Sequence, residues 1–199
     1  MDSKTQHNQL IWENFKAGNK EAFAHLYNEY VQMLFRYGTK LCPCDDLVKD
    51  AIQEVFLDLY QNRKKNTTNP QNLKYYLILA LKRNLIKKLQ RNRKVVEDHI
   101  DFDLNFEPVY SIESVIIENE EEHELNNQLY KALRKLPPRQ KEALYLRFNE
   151  SLDYTEVAQL LGISVESARK QVCRALKTLR KGSNISTFVL TALIQLQLV

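Results

Sequence analysis

Apolar side chains recur three and four residues apart through most of this chain, and that spacing commits it to helices. Leu10, Ile11, Phe15, Phe23, Leu26, Tyr27, Tyr30, Val31, Leu34 and Phe35 carry the pattern through the first block, with a polar break at Gly18-Asn19. The turn Cys42-Pro43-Cys44-Asp45 follows. Beyond it Leu47, Val48, Ala51, Ile52, Val55, Phe56 and Leu59 make one apolar stripe. Asn62 to Asn72 is polar, contains Pro70 and reads as a loop. A third helix is predicted from about Leu73 to Arg93, burying Leu77, Ile78, Leu81, Leu85 and Leu89. The sequence has only four Gly and five Pro in 199 residues, with 44% hydrophobic and 27% charged side chains, so little interrupts the helices. The expected fold class is all-α: two helical domains joined by a flexible acidic linker, the second carrying a helix-turn-helix.

The boundaries come from charge. Met1 to Lys94 carries 17 Lys/Arg against 9 Asp/Glu. Val95 to Asn126 carries 11 acids and no Lys or Arg, and Asn127 to Val199 carries 12 Lys/Arg against 5 acids. A net charge of +4 therefore hides two basic blocks around an acidic one, and basic blocks point to a polyanionic partner. The expected division is a domain at 1–94, an acidic linker at 95–126, a domain at 127–181 and an apolar tail at 182–199. Within the linker, Asp98 to Val109 has no clear period. Ser111 to Glu124 reads as either a short helix or irregular chain. Three cysteines, Cys42, Cys44 and Cys173, make no closed disulfide framework, and Cys42-Pro-Cys44 lacks a second ligand pair for zinc. His7, His25, His99 and His123 form no motif. No phosphate-binding or dinucleotide fingerprint is found and no local motif suggests a Ser/His/Asp set, so no cofactor, metal or catalytic residue is assigned and no enzyme is expected. The polar start and the lack of a bilayer-length apolar run point to a cytoplasmic protein without stable membrane insertion.

The sharpest local pattern lies between Asp153 and Lys181. Asp153 with Glu156 three residues on, before Val157, Ala158, Leu160 and Leu161, is a capping box opening a helix. Gly162 supplies positive φ for a tight turn, Ile163 plugs it, and Ser164 caps the next helix. At 100° per residue, Val165, Ala168, Val172, Ala175, Leu176 and Leu179 share one face. Ser167, Lys170, Arg174, Lys177 and Lys181 share the opposite one, flanked by Arg169, Arg180 and Gln171. Two helices around a tight turn with such a face make the DNA-reading motif, whose second helix reads bases from its N-terminal turns. Ser167, Lys170, Gln171 and Arg174 are assigned to bases or adjacent phosphates, and Arg169, Lys177 and Lys181 to phosphates. An ordinary solvated Lys/Arg face is the alternative.

The third helix repeats the two-faced design. Arg83, Lys87, Arg91 and Lys94 form a ridge opposite its leucines, and Tyr76 falls on it. An aromatic among cations suits unpaired bases and their backbone; a half-buried core Tyr76 and a solvated ridge are the bland readings. The second helix exposes Asp50, Gln53, Glu54, Asp58 and Gln61. Carboxylates there repel DNA and fit solvent or a basic protein partner.

In these residues the chain resembles the extracytoplasmic-function (ECF) group of bacterial RNA polymerase sigma factors. Asp50-Ala-Ile-Gln53-Glu54-Val-Phe56-Leu looks like the region-two helix that docks on polymerase. Tyr75 to Lys94, with Lys82-Arg83-Asn84-Leu85, resembles the segment that meets the opened promoter strand. Ala132-Leu133, Leu136-Pro137 and Arg139-Gln140 with Glu142 resemble the start of region four. Asp153-Tyr-Thr-Glu156-Val-Ala158 and Arg174-Ala175-Leu176 fit its helix-turn-helix. The resemblance covers about Leu10 to Lys181. It departs at Leu79-Ala80-Leu81, where a more polar stretch is expected, and in the uncharged tail Asn184 to Val199. That tail is open to internal packing, to sealing an autoinhibited state, or to binding a partner.

The resemblance implies a sigma factor that binds core RNA polymerase and promoter DNA, duplex and single-stranded, with an anti-sigma factor as a further partner. It implies Asp50, Gln53, Glu54 and Asp58 as the polymerase-docking set. It implies Tyr76, Arg83, Lys87 and Arg91 at the downstream element, and a flipped-base pocket rimmed by Asn62 to Asn72. Ser167, Arg169, Lys170, Gln171, Arg174 and Lys177 fall at the upstream element, with the acidic linker threading the polymerase cleft. Two other readings are a helix-turn-helix regulator that acts without core polymerase and a helical nuclease with a carboxylate metal site.

Overall fold

The computed structural model describes residues 3–65, 72–93, 106–107 and 131–182. The tail, most of the acidic segment, residues 66–71 of the expected loop and the side chains of Lys94 and Lys181 lie outside the described residues. All regular structure within them is helical, and the chain divides into two compact units, Met1–Leu104 and Asn105–Val199.

Unit 1 is built from α1 (Ser3–Ala17), α2 (Lys20–Leu41), α3 (Asp45–Gln61) and α4 (Leu73–Arg93). The break after Ala17 falls where expected: Gly18 takes φ 95°, and the Asn19 side chain caps α2 by accepting from the Ala22 N–H at 3.0 Å. α2 packs on α1, α3 and α4, and α3 packs on α4. The α3 stripe Val48, Ala51, Ile52, Val55, Phe56 and Leu59 is buried against Leu73, Leu77, Ile78, Leu81 and Leu85 of α4, with Leu34, Tyr37 and Leu41 of α2. Leu89, predicted to share that stripe, is only half-buried. Gly38 sets the α2–α3 approach, because a Cβ there would stand 2.5 Å from Val48 Cγ1. Aromatic rings join α1 and α2 to α3: Phe15 to Phe23 at 6.0 Å, Phe23 to Tyr60 at 5.1 Å and Tyr27 to Phe56 at 4.8 Å.

Unit 2 begins its described helices at 131–134 and continues through α5 (Pro138–Leu144), α6 (Tyr154–Leu161) and α7 (Val165–Gly182). Pro138 occupies the first turn of α5, where its missing N–H costs nothing. The helix expected from Arg139 to Phe148 runs as α only to Leu144, then widens into a π turn over Tyr145–Asn149, closed by the Glu150 N–H on the Tyr145 carbonyl at 3.2 Å. Ser151 then takes φ 57°, left-handed backbone that turns the chain toward α6. The core is Leu133, Leu136, Leu144, Leu146, Val157, Leu160, Val172 and Leu179 around a fully buried Tyr145.

The plain-linker expectation for Asp98 to Val109 is corrected at one point. Phe106 is fully buried and packs on Tyr145 with ring centroids 5.5 Å apart. Beside it Glu107 accepts two hydrogen bonds from Lys141 Nζ, at 3.0 and 3.2 Å. The Lys141 side chain is only 4% exposed, so Glu107 supplies the counter-charge its burial requires. An aromatic residue and an adjacent carboxylate thus fix this part of the acidic segment to unit 2.

Candidate nucleic-acid and protein-docking faces

The helix-turn-helix forms as its local chemistry dictates. Asp153 accepts from the Thr155 and Glu156 N–H groups at 2.7 and 2.8 Å, while Glu156 reaches back to the Asp153 N–H at 2.9 Å. Gly162 ends α6 at φ 64° and ψ 35°, and the Ile163 N–H closes the turn on the Ala158 carbonyl at 3.0 Å. Ser164 caps α7 by accepting from the Ser167 N–H at 3.2 Å, and the two hydroxyls hydrogen-bond at 2.9 Å. Ala168, Val172, Ala175 and Leu179 face the core. Leu176 is half-buried, and Val165, at the first turn, is exposed.

On the opposite face Lys170, Arg174 and Lys177 are exposed and Ser167 is half-buried; on its flanks Arg169 is exposed and Gln171 half-buried. Two of the cations are engaged. Lys170 Nζ lies 2.6 Å from Glu166 one turn earlier. The Arg169 guanidinium lies over the Tyr154 ring at 5.3 Å, and Arg147 lies over the same ring at 5.1 Å while donating to the Leu152 carbonyl at 2.9 Å. Sequence reasoning missed both partners. The i,i+4 Glu166–Lys170 spacing was there to be read, whereas Tyr154 meets Arg169 only across the turn.

In unit 1, Arg83, Lys87 and Arg91 are exposed along α4 and Tyr76 is half-buried. Asp50, Gln53, Glu54 and Asp58 are exposed on α3. The structure adds a link between the two helices. Lys88, its side chain 16% exposed, hydrogen-bonds Asp50 and donates to Glu54 at 2.6 Å, and Asn84 Nδ2 donates to Glu54 at 2.7 Å. Hydrogen bonds from Lys88 and then Asn84 hold the Glu54 carboxyl below its ordinary pKa; those to Asp50 and Glu54 raise Lys88 above its own. Two of the four expected docking carboxylates and amides are therefore already oriented from within unit 1. Leu57, 55% exposed, also lies on this face, seven residues after Asp50. Its place on the face could have been read from that spacing.

Among the described residues no three His, Cys, Asp or Glu side chains gather as metal ligands, and no helix is long and apolar enough to cross a membrane.

A capped helix-turn-helix with a cationic reading face, and a separate helical unit with a cationic ridge beside an acidic face, define a two-module helical nucleic-acid-binding protein. The Sigma-70 region 2 family matches residues 26–95 and the Sigma-70, region 4 family matches residues 126–179, together more than half of the chain. The chain belongs to the ECF group of RNA polymerase sigma factors. Among its relatives, the RNA polymerase sigma factor SigV of Bacillus subtilis is 26% identical over 155 residues, 76% of this chain and 82% of that protein. The ECF RNA polymerase sigma factor BldN of Streptomyces coelicolor is 27% identical over 183 residues, 90% and 67% respectively. The fold is also similar to that of the Bartonella quintana sigma factor RpoE, solved with the anti-sigma factor NepR. That similarity has a TM-score of 0.54 at 17% identity, covering 80% of this chain and 95% of that one.

Proposed function

We propose that this protein binds core RNA polymerase, directs it to a two-part promoter and holds the DNA as it opens. The observation that carries this reading is the pairing of different faces in one chain: a duplex-reading helix in unit 2, and a single-strand-type ridge beside an acidic protein-docking face in unit 1. α7 enters the major groove of the upstream element. There Ser167, Lys170, Gln171 and Arg174 meet base edges or adjacent phosphates, and Arg169 and Lys177 meet phosphates. Tyr154 orients Arg169 for that contact. Tyr76, Arg83, Lys87 and Arg91 take the downstream strand once it is unpaired.

Asp50, Gln53, Glu54 and Asp58 dock on polymerase around Leu57, an apolar centre inside a polar rim. Lys88 and Asn84 hold Asp50 and Glu54 before the partner arrives, which lowers the ordering cost of docking. Polymerase performs the chemistry, so the chain itself is no enzyme, and its place of action is the cytoplasm, where polymerase works. A protein inhibitor of the kind solved with the Bartonella quintana relative is a further partner.

The test is to mix the purified chain with core polymerase and measure binding and promoter-dependent transcription. Formation of a holoenzyme that initiates at discrete promoters is expected. Binding of duplex DNA with no affinity for core would sink the proposal in favour of a free-standing regulator.

A further inference from the structure

The reading face of α7 contains one feature that phosphate binding does not explain. Glu166, in the first turn of α7, is the only acid on that helix, and its side chain is 76% exposed. At 100° per residue it lies at the edge of the cationic face, about 20° from Lys177 and about 40° from Lys170. Its carboxylate lies 2.6 Å from Lys170 Nζ, whose side chain is 61% exposed. An exposed i,i+4 pair of this kind adds only about 0.3–0.5 kcal/mol to a helix. Against that, a carboxylate carried into the groove is repelled by the phosphates unless it meets a hydrogen-bond donor there.

The major groove offers two such donors, the amino groups of cytosine and adenine. Adenine places its N7 acceptor beside the amino group and so repels a carboxylate, whereas cytosine presents the amino group alone. Across the same pair guanine presents O6 and N7, the two acceptors a lysine takes. Resting on the assignment of α7 to the upstream element, we infer that Glu166 and Lys170 together read a single C·G base pair. Glu166 accepts from cytosine N4 and Lys170 donates to guanine O6 and N7. In the free protein the two side chains satisfy each other; on DNA each exchanges its partner for one base of the pair. Glu166 is then a specificity-determining residue, and Lys170 specifies a base rather than serving only as a positive charge.

The test uses holoenzyme assembled from core polymerase and the full chain, selecting from a duplex library randomised over the upstream element. Wild-type protein is expected to enrich C·G at one position. Glu166→Ala should flatten the preference there by about 5- to 150-fold while leaving the other positions intact. Lys170→Ala should flatten the same position. Glu166→Gln should move it toward adenine, because an amide pairs with adenine N6 and N7 together. Glu166→Ala weakening every sequence equally, with a lower unfolding midpoint, would show a merely structural Glu166 and overturn the inference. So would an unchanged preference profile. Failure of the wild type to enrich any upstream element would instead remove the promoter-reading assignment beneath it.

Discussion

The two cationic helices look alike in composition and differ in what accompanies the charge. α4 contains no acidic residue, and Lys88, paired with Asp50 and Glu54, is turned toward α3 and away from the ridge. That leaves Arg83, Lys87 and Arg91 exposed as a row of donors, which suits a backbone and whatever bases hang from it. α7 mixes donors with an acceptor, a hydroxyl and an amide: Lys170 and Arg174 with Glu166, Ser167 and Gln171. A row of donors attracts phosphate without regard to sequence; a mixed set discriminates between base edges. If the proposed contacts hold, net positive charge marks where nucleic acid binds, while the interruptions in the charge mark where it is read.

The comparison between the two units can be broken at four points, taken from the largest effect to the smallest. Phe106→Ala removes a fully buried ring from unit 2 and should destabilise that unit by about 3–5 kcal/mol, with unit 1 unaffected. Denaturant unfolding followed by amide exchange in each unit checks this, and equal loss in both units would contradict it. Arg174→Ala should weaken promoter use by about 1–3 kcal/mol and relax preference at one base, measured as transcription from single-base promoter variants.

Lys87→Ala should weaken binding to opened promoter DNA uniformly over sequences, and should lower the salt slope of log affinity by about 0.7. A change of base preference from Lys87→Ala would erase the distinction between the two faces. The smallest effect concerns the link behind the ridge. Glu54, held below its ordinary 4.5 first by the Lys88 hydrogen bond, contributes stability that is present above that value and lost as pH falls through the lowered one. Lys88, raised above 10.5 first by its bond to Asp50, contributes stability that is present below 10.5 and lost as pH rises through the raised value. Lys88→Met should therefore flatten the stability profile of unit 1 at both ends, by at most about 1 kcal/mol since the carboxylates are half exposed. Identical pH profiles for the variant and the wild type would show that the pair does not stabilise the fold.

What was legible in the sequence was local. The Asp153–Glu156 capping box, the turn glycine Gly162, the Ser164 cap and the buried Ala168, Val172, Ala175 and Leu179 of α7 each follow from residues within a turn or two and appear as expected, while Val165 and Leu176 at the edges of that face do not bury. The stripes of α3 and α4 were readable for the same reason. The missed features join residues distant in sequence or set against their surroundings. Lys88 reaches carboxylates 34 and 38 residues away, so a single-helix projection could not place it. The π turn at Tyr145–Asn149 contains no proline or glycine that would have marked it in the sequence. Phe106 sits in a segment whose acidity reads as solvated chain; only the buried ammonium of Lys141 makes Glu107, next to it, a docking residue.

The seat of Phe106 also acts as a tape measure. The acidic span taken from charge alone, 95–126, would let two modules separate by roughly 100 Å at full extension. With α4 ending at Arg93 and Phe106 buried in unit 2, no more than residues 94–105 lie between those two fixed points, and a chain of that length spans at most about 40 Å. A shorter leash raises the local concentration of one module at its DNA element once the other is bound, and narrows the range of spacings between elements that the pair tolerates. On the proposed function, a single aromatic side chain, lying between the two family matches and inside neither, would help set which promoter spacings the protein accepts.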